Sequence, residues 1–269
     1  MSGQILGDRY EVEGQLGKKA GRWTLLARDL MTNKPVILKV LFIDENLASD
    51  DLKLFKREVD ILRTLNHPST PQYLGYFEIS LPRDGKALVL IQSYLAGKSL
   101  QNYMADKRLL SESEARKIAY EVLKILQYLH GRTPPIIHRD IKPSNILLSA
   151  DSATLTSEVG LVDFGSVKSL APSDGTTFSM VGTDGFVPPE QMGRRAVISS
   201  DLYSLGVTLV AGMSGLEPDA MPKSGFRIKV HEAIAASPDF SAWLQKATEP
   251  ELIKRYRQVE EALAALPQS

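Results

Sequence analysis

The sequence predicts an α+β fold with two lobes, a small antiparallel β-rich N-terminal lobe containing one helix and a larger, mainly helical C-terminal lobe. Short β-rich runs separated by turn residues are concentrated in the first ninety residues. Long apolar patterns with helical spacing dominate the rest of the chain. We therefore divide the chain into domains at residues 1–92 and 93–269, and expect a ligand-binding cleft between them.

The predicted strands of the first lobe are rich in β-branched and aromatic residues. Their sequences are YEVEGQLG, RWTLLARD, KPVILKVL, PQYLGYFE and KALVLIQ. One helix is predicted among them, over SDDLKLFKREVDILRTL, because Phe55, Leu62 and Leu65 recur at helical spacing. The first lobe is thus a sheet with one helix beside it.

The predicted helices of the second lobe begin with SESEARKIAYEVLKILQYLH. Ser111 and Glu114 form the sequence signature of a capping box at its start. Its apolar stripe predicts a buried helix and consists of Ile118, Val122, Ile125 and Leu129. Further helices are predicted over SDLYSLGVTLVAGM, FSAWLQKAT and YRQVEEALAAL.

Composition excludes several classes of function. The 269 residues include 32 basic and 32 acidic side chains, so no global field favours nucleic acid or an anionic membrane. The chain has no cysteine, which excludes disulfides, thiolate catalysis and cysteine-ligated zinc. It also has no signal-peptide pattern and no apolar run long enough to span a membrane. These features predict a cytoplasmic protein that does not bind nucleic acid.

Two polar segments between apolar residues carry residues suited to phosphoryl transfer. In IIHRDIKPSNILL, a carboxylate, an ammonium and an amide oxygen come from Asp140, Lys142 and Asn145. The carboxylate can orient a hydroxyl, the ammonium can neutralise a phosphate, and the amide can bind Mg²⁺. In LVDFG, Asp163 is a second candidate metal ligand, and the following glycine permits a turn.

Together these segments resemble a eukaryotic-type protein kinase domain, with HRDIKPSN as the catalytic loop and DFG following it. The resemblance covers nearly the whole chain and implies the bilobal protein-kinase fold, with ATP and Mg²⁺ as cofactors. It implies that Asp140 is the catalytic base and that Lys142 contacts the γ-phosphate. It also implies that Asn145 and Asp163 bind Mg²⁺.

Lys39 and Glu58 are the remaining candidate catalytic residues. The resemblance implies that Lys39, in VILKV, is the nucleotide-contacting lysine of the kinase family. Side-chain alternation puts Lys39 on the same strand face as Ile37 and Leu41, in apolar surroundings. A buried ammonium needs an anionic partner, and Glu58 lies within the apolar stripe of the predicted helix. We therefore predict a Lys39–Glu58 ion pair.

The predicted nucleotide loop, GQLGKKAGRW, departs from the kinase pattern. Leu16 and Gly17 match its start, but Lys19 and Arg22 stand where the family has its second and third glycines. Thr24 stands where a valine would cover the adenine. We interpret the cations of this loop, at positions 18, 19 and 22, as replacing part of the lost backbone contact with the phosphates.

Other residues match nucleotide-contacting positions of the family. Ile37 replaces the small residue that faces the adenine and narrows its slot. The resemblance implies that Gln92 guards the back pocket, that Ser93 to Leu95 form the hinge, and that Leu147 lies under the adenine.

The segment GTDGFVPPEQ resembles the kinase segment that ends in Ala-Pro-Glu. By this resemblance Glu190 pairs with Arg255, and Asp201 supports the catalytic loop. Lys142 and Thr183 are typical of the serine/threonine class. Arg139 suggests control by the activation segment, residues 163–190, where autophosphorylation is predicted at Ser173, Thr176, Thr177 or Ser179.

The sequence therefore predicts a signalling serine/threonine protein kinase that transfers the γ-phosphate of Mg-ATP to protein substrates. The alternative is a pseudokinase, a nucleotide-binding or scaffold module with weak or no catalysis. The substituted glycines of the nucleotide loop, with Thr24 and Ile37, favour the alternative. The complete set of catalytic residues favours the active enzyme.

Overall fold

The fold is that of a computed structural model, which describes residues 2–19, 21–43, 47, 49–81, 85–149, 158–169, 185–193 and 195–268. The chain divides into two compact units, Met1–Leu95 and Ala96–Ser269. The first contains an antiparallel sheet and the second is mainly helical, as in the kinase fold that the sequence predicts.

The N-terminal unit is built around one sheet. Its elements are β1 (Ile5–Leu6), β2 (Tyr10–Lys19), β3 (Arg22–Asp29), β4 (Lys34–Ile43), α1 (Ser49–Thr64), β5 (Tyr73–Ser80) and β6 (Lys86–Ser93). The strand order among the described residues is β1-β2-β3-β4-β6-β5, and every neighbouring pair is antiparallel. The predicted strands and helix are confirmed, whereas the two-residue strand β1 was not predicted.

The two faces of this sheet have different partners. On one face, Val36, Leu38 and Val40 of β4 belong to a buried apolar cluster with residues of β2, β3 and β6. The ring of Tyr10 on β2 stacks on that of Phe77 on β5, with centroids 5.8 Å apart, so the sheet is strongly curved. Since strand side chains alternate, the odd-numbered residues of β4 point to the other face, which faces α1.

The C-terminal unit contains most of the helices. Its elements are β7 (Lys98–Ser99), α2 (Leu100–Ala105), α3 (Glu112–His130), β8 (Ile136–Ile137), β9 (Ile146–Ser149), β10 (Glu158–Leu161), β11 (Lys168–Ser169), α4 (Pro189–Met192), α5 (Ile198–Ser214), β12 (Lys223–Ser224), β13 (Arg227–Ile228), α6 (Val230–Ala233), α7 (Pro238–Ala247) and α8 (Val259–Ala265). Strands β10, β9 and β7 pair in that order, and β11 pairs with β8 and β12 with β13, all antiparallel.

Helices α3 and α5 form the centre of this unit. The capping box predicted for α3 is present, since the Glu114 amide donates to Ser111 Oγ and the Ser111 amide donates to a Glu114 carboxylate oxygen. The predicted apolar stripe of α3 is buried. Residues 199–213 of α5 are all buried, which is typical of a helix at the centre of a domain.

In the part of the chain that the structure describes, no helix is both long and apolar enough to cross a bilayer.

Candidate active site

The predicted catalytic loop lies between β8 and β9 and is anchored by apolar side chains. Ile137, Ile141 and Ile146 are all buried and hold the ends and the middle of the loop in the core. A single 3₁₀ turn, Pro143–Asn145, leads into β9, where Leu147 is half-buried. These anchors explain how a polar loop keeps one conformation.

The three residues that the sequence singled out in this loop contact one another. Lys142 Nζ donates to Asp140 Oδ2 at 2.8 Å. Asn145 Nδ2 donates to the Asp140 carbonyl oxygen at 2.8 Å and to Asp140 Oδ2 at 3.2 Å. Because all three contacts converge on Asp140, its carboxylate is held in a fixed orientation beside an ammonium and an amide.

Asp163 follows β10, the strand that pairs with β9. The Val162 amide donates to the Asn145 carbonyl oxygen at 2.9 Å, so the chain reaches Asp163 directly beside the catalytic loop. Asp163 has φ 69°, a left-handed conformation that is costly for a residue other than glycine and that is concentrated at functional sites. The next residue, Phe164, is buried against the ring of His138, with centroids 5.0 Å apart.

Asp201, near the start of α5, supports the catalytic loop from within the core. Its side chain is fully buried and accepts hydrogen bonds from the amides of His138, at 2.9 Å, and Arg139, at 2.8 Å. His130 Nε2 at the end of α3 lies 2.9 Å from the same carboxylate. These contacts confirm the predicted role of Asp201 and show that His130, which the sequence did not reveal, takes part.

The backbone at the start of the catalytic loop has a further restraint. Arg139 has φ 70°, a conformation that the surrounding contacts must maintain. Burial lowers the pKa of the neighbouring His138 imidazole, against the opposing influence of Asp201, so a neutral ring packs in the core near pH 7.

Gln191, on α4, is a supporting residue that sequence reasoning missed. Its Nε2 donates to the Arg139 carbonyl oxygen at 2.8 Å, and its side chain is buried. It directly follows the Pro-Pro-Glu run, which could have drawn attention to it. Gln191 therefore joins the end of the activation segment to the backbone of the catalytic loop.

The predicted Glu190–Arg255 ion pair is confirmed. Arg255 Nη1 lies 2.7 Å from Glu190 Oε1, and Nη2 lies 3.2 Å from Oε2. The guanidinium also donates to the carbonyl oxygens of Glu249, Ser199 and Pro250, and Arg255 is only 1% exposed. With this many acceptors the buried charge is fully hydrogen-bonded, which is what makes its burial tolerable.

In the N-terminal unit, Lys39 on β4 and Glu58 on α1 form the ion pair that the sequence predicts. The side chains are 14% and 5% exposed, respectively. Leu41, two residues further on the same strand face, is fully buried. Glu58 therefore neutralises an ammonium in apolar surroundings, and the pair joins the helix to the sheet.

The nucleotide loop is a tight hairpin between β2 and β3. Gly17 pairs with Thr24, and the strands stay paired almost to the turn. Gly21 has φ 68° and its carbonyl oxygen accepts from the Phe42 amide at 2.9 Å, so the left-handed turn conformation is at Gly21. Leu16 lies at an irregularity in the strand register and is exposed.

One cation of this hairpin makes a contact that the sequence did not predict. Arg22 Nη2 donates to Asp51 Oδ1 of α1 at 2.6 Å, and the role of the loop cations at the phosphates stays a prediction. Lys18 Nζ lies 5.4 Å from the centre of the Trp23 ring. Lys19 is exposed.

Other predicted nucleotide-contacting residues of the N-terminal unit lie on neighbouring strands. Ile37 on β4 is directly opposite Gln92 on β6, and Gln92 is buried. Ser93 ends β6, and its amide donates to the Gln72 carbonyl oxygen. Leu95 is half-buried.

The activation segment is mostly outside the described residues. Thr183 lies outside the described residues, as do the predicted phosphorylation sites Ser173, Thr176, Thr177 and Ser179.

Sequence comparison gives the family of related proteins. A sequence model of the protein kinase domain matches residues 10–263. "Serine/threonine-protein kinase B" of Synechocystis sp. is 32% identical over 97% of this chain and 46% of its own length. "Serine/threonine-protein kinase PknA" of Nostoc sp. is 33% identical over 98% of this chain and 48% of its own length. "CBL-interacting protein kinase 11" of Oryza sativa subsp. japonica is 32% identical over 80% of this chain and 41% of its own length. The chain thus spans less than half the length of these relatives.

Proposed function

Because this chain belongs to the protein kinase domain family, of the eukaryotic serine/threonine type, we propose that it transfers the γ-phosphoryl group of Mg-ATP to hydroxyls of protein substrates. The observation that carries the proposal is the convergence of Lys142 and Asn145 on the Asp140 carboxylate. That arrangement presents a base, a cation and an amide oxygen on one rigid loop.

Asp140 is proposed as the catalytic base. Its carboxylate would orient the serine or threonine hydroxyl and accept the proton when that oxygen bonds to the γ-phosphorus, while the bond from this phosphorus to the β–γ bridging oxygen breaks and ADP leaves. Lys142, 2.8 Å from the same carboxylate, would contact the transferred phosphoryl group and offset its charge. Asn145 would hold the Asp140 backbone in place through its amide nitrogen.

Asn145 and Asp163 are proposed to bind Mg²⁺, and their chemistry fits this ion. An amide oxygen and a carboxylate are hard oxygen ligands, and Mg²⁺ commonly uses one or two protein ligands with phosphate and water. Asn145 donates through its nitrogen to Asp140, and its amide oxygen, which accepts from Ser144 Oγ at 3.3 Å, is the atom that would bind the metal. When bound, Mg²⁺ would neutralise charge on the phosphates of ATP. The left-handed backbone of Asp163 supports a functional role for its carboxylate.

Lys39 is proposed to contact the nucleotide phosphates, with Glu58 holding its ammonium in place. Further nucleotide contacts are proposed, from the resemblance to kinases, for Leu16, Gly17, Thr24, Ile37, Gln92, Ser93, Leu95 and Leu147.

The substrate class, location and regulation are part of the same proposal. Protein substrates are supported by the serine/threonine kinase relatives and by the segment ending in Glu190. We place the reaction in the cytoplasm and propose that autophosphorylation in the activation segment regulates it, through a phosphate that Arg139 could bind.

A pseudokinase is the second candidate function. What favours it is the substituted nucleotide loop, with Lys19 and Arg22 at glycine positions and Thr24 and Ile37 at adenine-facing ones. The two functions differ in catalysis and not in fold.

One assay with two arms tests the proposal. The first arm measures the shift in melting temperature caused by ATP, with and without Mg²⁺. The second measures transfer of labelled phosphate to the domain itself and to a generic basic protein. We expect Asp140→Asn to reduce transfer by about 10²–10⁴-fold while the melting shift is retained. The matched control is Asp239→Asn, at an exposed aspartate on α7, which should transfer at the wild-type rate. Binding without transfer that depends on Asp140 would establish the pseudokinase.

A further inference from the structure

Arg22 makes a contact that the kinase pattern does not provide, because that pattern has a glycine at its position. Its Nη2 donates to Asp51 Oδ1 at 2.6 Å and to the Asp51 carbonyl oxygen at 3.0 Å. The two side chains are 29% and 42% exposed, so the contact lies at the edge of the N-terminal unit. One guanidinium thus holds both the side chain and the backbone of the first turn of α1.

This contact and the Lys39–Glu58 pair join the same two surfaces. In the β3–β4 ladder Arg22 is opposite Leu41 and Thr24 is opposite Lys39, so Arg22 and Lys39 point to the same sheet face. On α1, Glu58 follows Asp51 by seven residues, about two helical turns, which puts both carboxylates on one helix face. The helix is therefore held to the sheet by two cation–carboxylate contacts about 10 Å apart along its axis.

The hairpin turn is itself attached to the sheet beside Arg22. The Phe42 amide binds the Gly21 carbonyl oxygen at 2.9 Å. The ring of Trp23 packs edge-on against that of Phe42, with centroids 4.6 Å apart. Because Gly21 and Trp23 hold the backbone on both sides of Arg22, the guanidinium cannot move independently of the hairpin. A shift of the hairpin relative to α1 would therefore move the guanidinium away from Asp51.

We propose that Arg22 is a positioning residue that couples the nucleotide loop to α1 and so maintains the Lys39–Glu58 pair. In the sequence, Arg22 at a glycine position favoured a loss of catalytic function. The contact with Asp51 gives this arginine a structural role. A ligand or contact that orders the hairpin therefore also stabilises the position of α1. A contact that stabilises α1 orders the hairpin by the same free energy. The link to nucleotide binding rests on the proposed function, whereas the link between hairpin and helix does not.

A double-mutant cycle tests the coupling. The variants are Arg22→Ala, Asp51→Ala and the double variant, and the first readout is hydrogen exchange of the α1 amides without nucleotide. We expect exchange in Arg22→Ala to be about two- to fivefold faster, as for a partly exposed charged contact. Asp51→Ala also removes a carboxylate from the first helical turn, an effect that the cycle subtracts.

The second readout is the affinity for the non-hydrolysable ATP analogue AMP-PNP with Mg²⁺, expected to weaken by about two- to fivefold in Arg22→Ala. The matched control is Arg28→Ala, which removes a half-exposed arginine of the same strand, paired with Glu13, and should change neither readout. The charge-exchanged variant, Arg22→Asp with Asp51→Arg, should recover part of the α1 protection that each single reversal loses.

Unchanged α1 exchange in Arg22→Ala would overturn the proposal, as would single-variant effects that add fully in the double variant. Faster exchange with unchanged AMP-PNP affinity would overturn the nucleotide link while leaving the structural one. If no phosphoryl transfer is found in the wild type, the proposed function fails, but the exchange result still decides the coupling.

Discussion

The sequence predicts a functional role for both the catalytic loop and the nucleotide loop, but the two segments are held in place by different kinds of contact. Asp201, which is fully buried, binds the catalytic loop through backbone amides. Arg22 binds α1 from the hairpin with 29% of its side chain exposed. The first segment is fixed from inside the core and the second from the surface.

This difference determines how much substitution each segment can accept. When a partner of a buried polar group is removed, the group is left without the water that would otherwise replace the partner. At a half-exposed contact, water takes over most of the lost interaction. The catalytic loop should therefore be sensitive at each supporting residue, and the hairpin should accept cations at glycine positions with small losses.

The largest expected effect is at Arg255. Arg255→Ala leaves the Glu190 carboxylate buried without its cation and should lower the free energy of unfolding by about 3–5 kcal/mol. Urea unfolding measures this. The comparison variant Arg28→Ala, which breaks an exposed pair with Glu13, should cost less than about 1 kcal/mol. Equal losses of unfolding free energy in the two variants would contradict the distinction between segments held from the core and segments held from the surface.

Next is Asp201→Asn, which keeps the shape of the side chain but replaces one acceptor by a donor. One of the two backbone amides, of His138 or Arg139, then faces an N–H group, and we expect a loss of about 1–3 kcal/mol in unfolding free energy. The rate of phosphoryl transfer should fall more than the affinity for AMP-PNP, because the catalytic loop is the part disturbed. Chemical denaturation and labelled-phosphate transfer measure the two effects, with Asp239→Asn as the control. A variant that loses only nucleotide affinity contradicts this prediction.

A smaller effect is expected at Gln191. Gln191→Leu removes the hydrogen bond to the Arg139 carbonyl oxygen and should cost about 1 kcal/mol. The matched control is Gln127→Leu, which removes an exposed hydrogen bond from α3 to Glu260 and should leave the free energy of unfolding nearly unchanged. Urea midpoints compare the two, and a larger loss at Gln127 would show that burial is not what distinguishes them.

The smallest expected effect is a pH-dependent change in stability at Asp29, the last residue of β3. Hydrogen bonds from Arg9, with those from Thr32 and Met31, hold the pKa of this buried carboxyl well below its usual range. A lowered folded-state pKa gives stability above the unfolded-state pKa, about 4, that is lost as the pH falls below it. Asp29→Asn should therefore melt slightly lower than the wild type at pH 7, and the gap should narrow toward pH 3. Melting curves at both pH values check this, and a gap that widens in acid refutes it.

The sequence was sufficient where a residue's environment depends on its near neighbours. Short β-rich runs between turn residues predicted the strands, and the Ser111–Glu114 spacing predicted the cap of α3. The Lys39–Glu58 pair followed because each charge lies within an apolar pattern of its own element. The three residues of the catalytic loop contact one another because they are separated by only a few positions.

The sequence was insufficient where a contact depends on packing between distant segments. Gln191 and His130 reach the catalytic loop only because α4 and the end of α3 are packed beside it. The partner of Arg22 follows from the ladder register and from the side of the sheet on which α1 lies, and neither is set by local pattern. The hairpin of β12 and β13 was missed because its strands have two residues each.

The long reach of Asp201 has a consequence for the order of events during synthesis. His138 and Arg139 precede Asp201 by 63 and 62 residues, and Glu190 precedes Arg255 by 65. A nascent chain that has just passed Asp163 already holds every proposed catalytic residue, yet none of these restraints exists. Closing such large loops costs entropy and comes late, so the buried support of the catalytic loop should form only after α5 has emerged from the ribosome, and the Glu190–Arg255 pair later still.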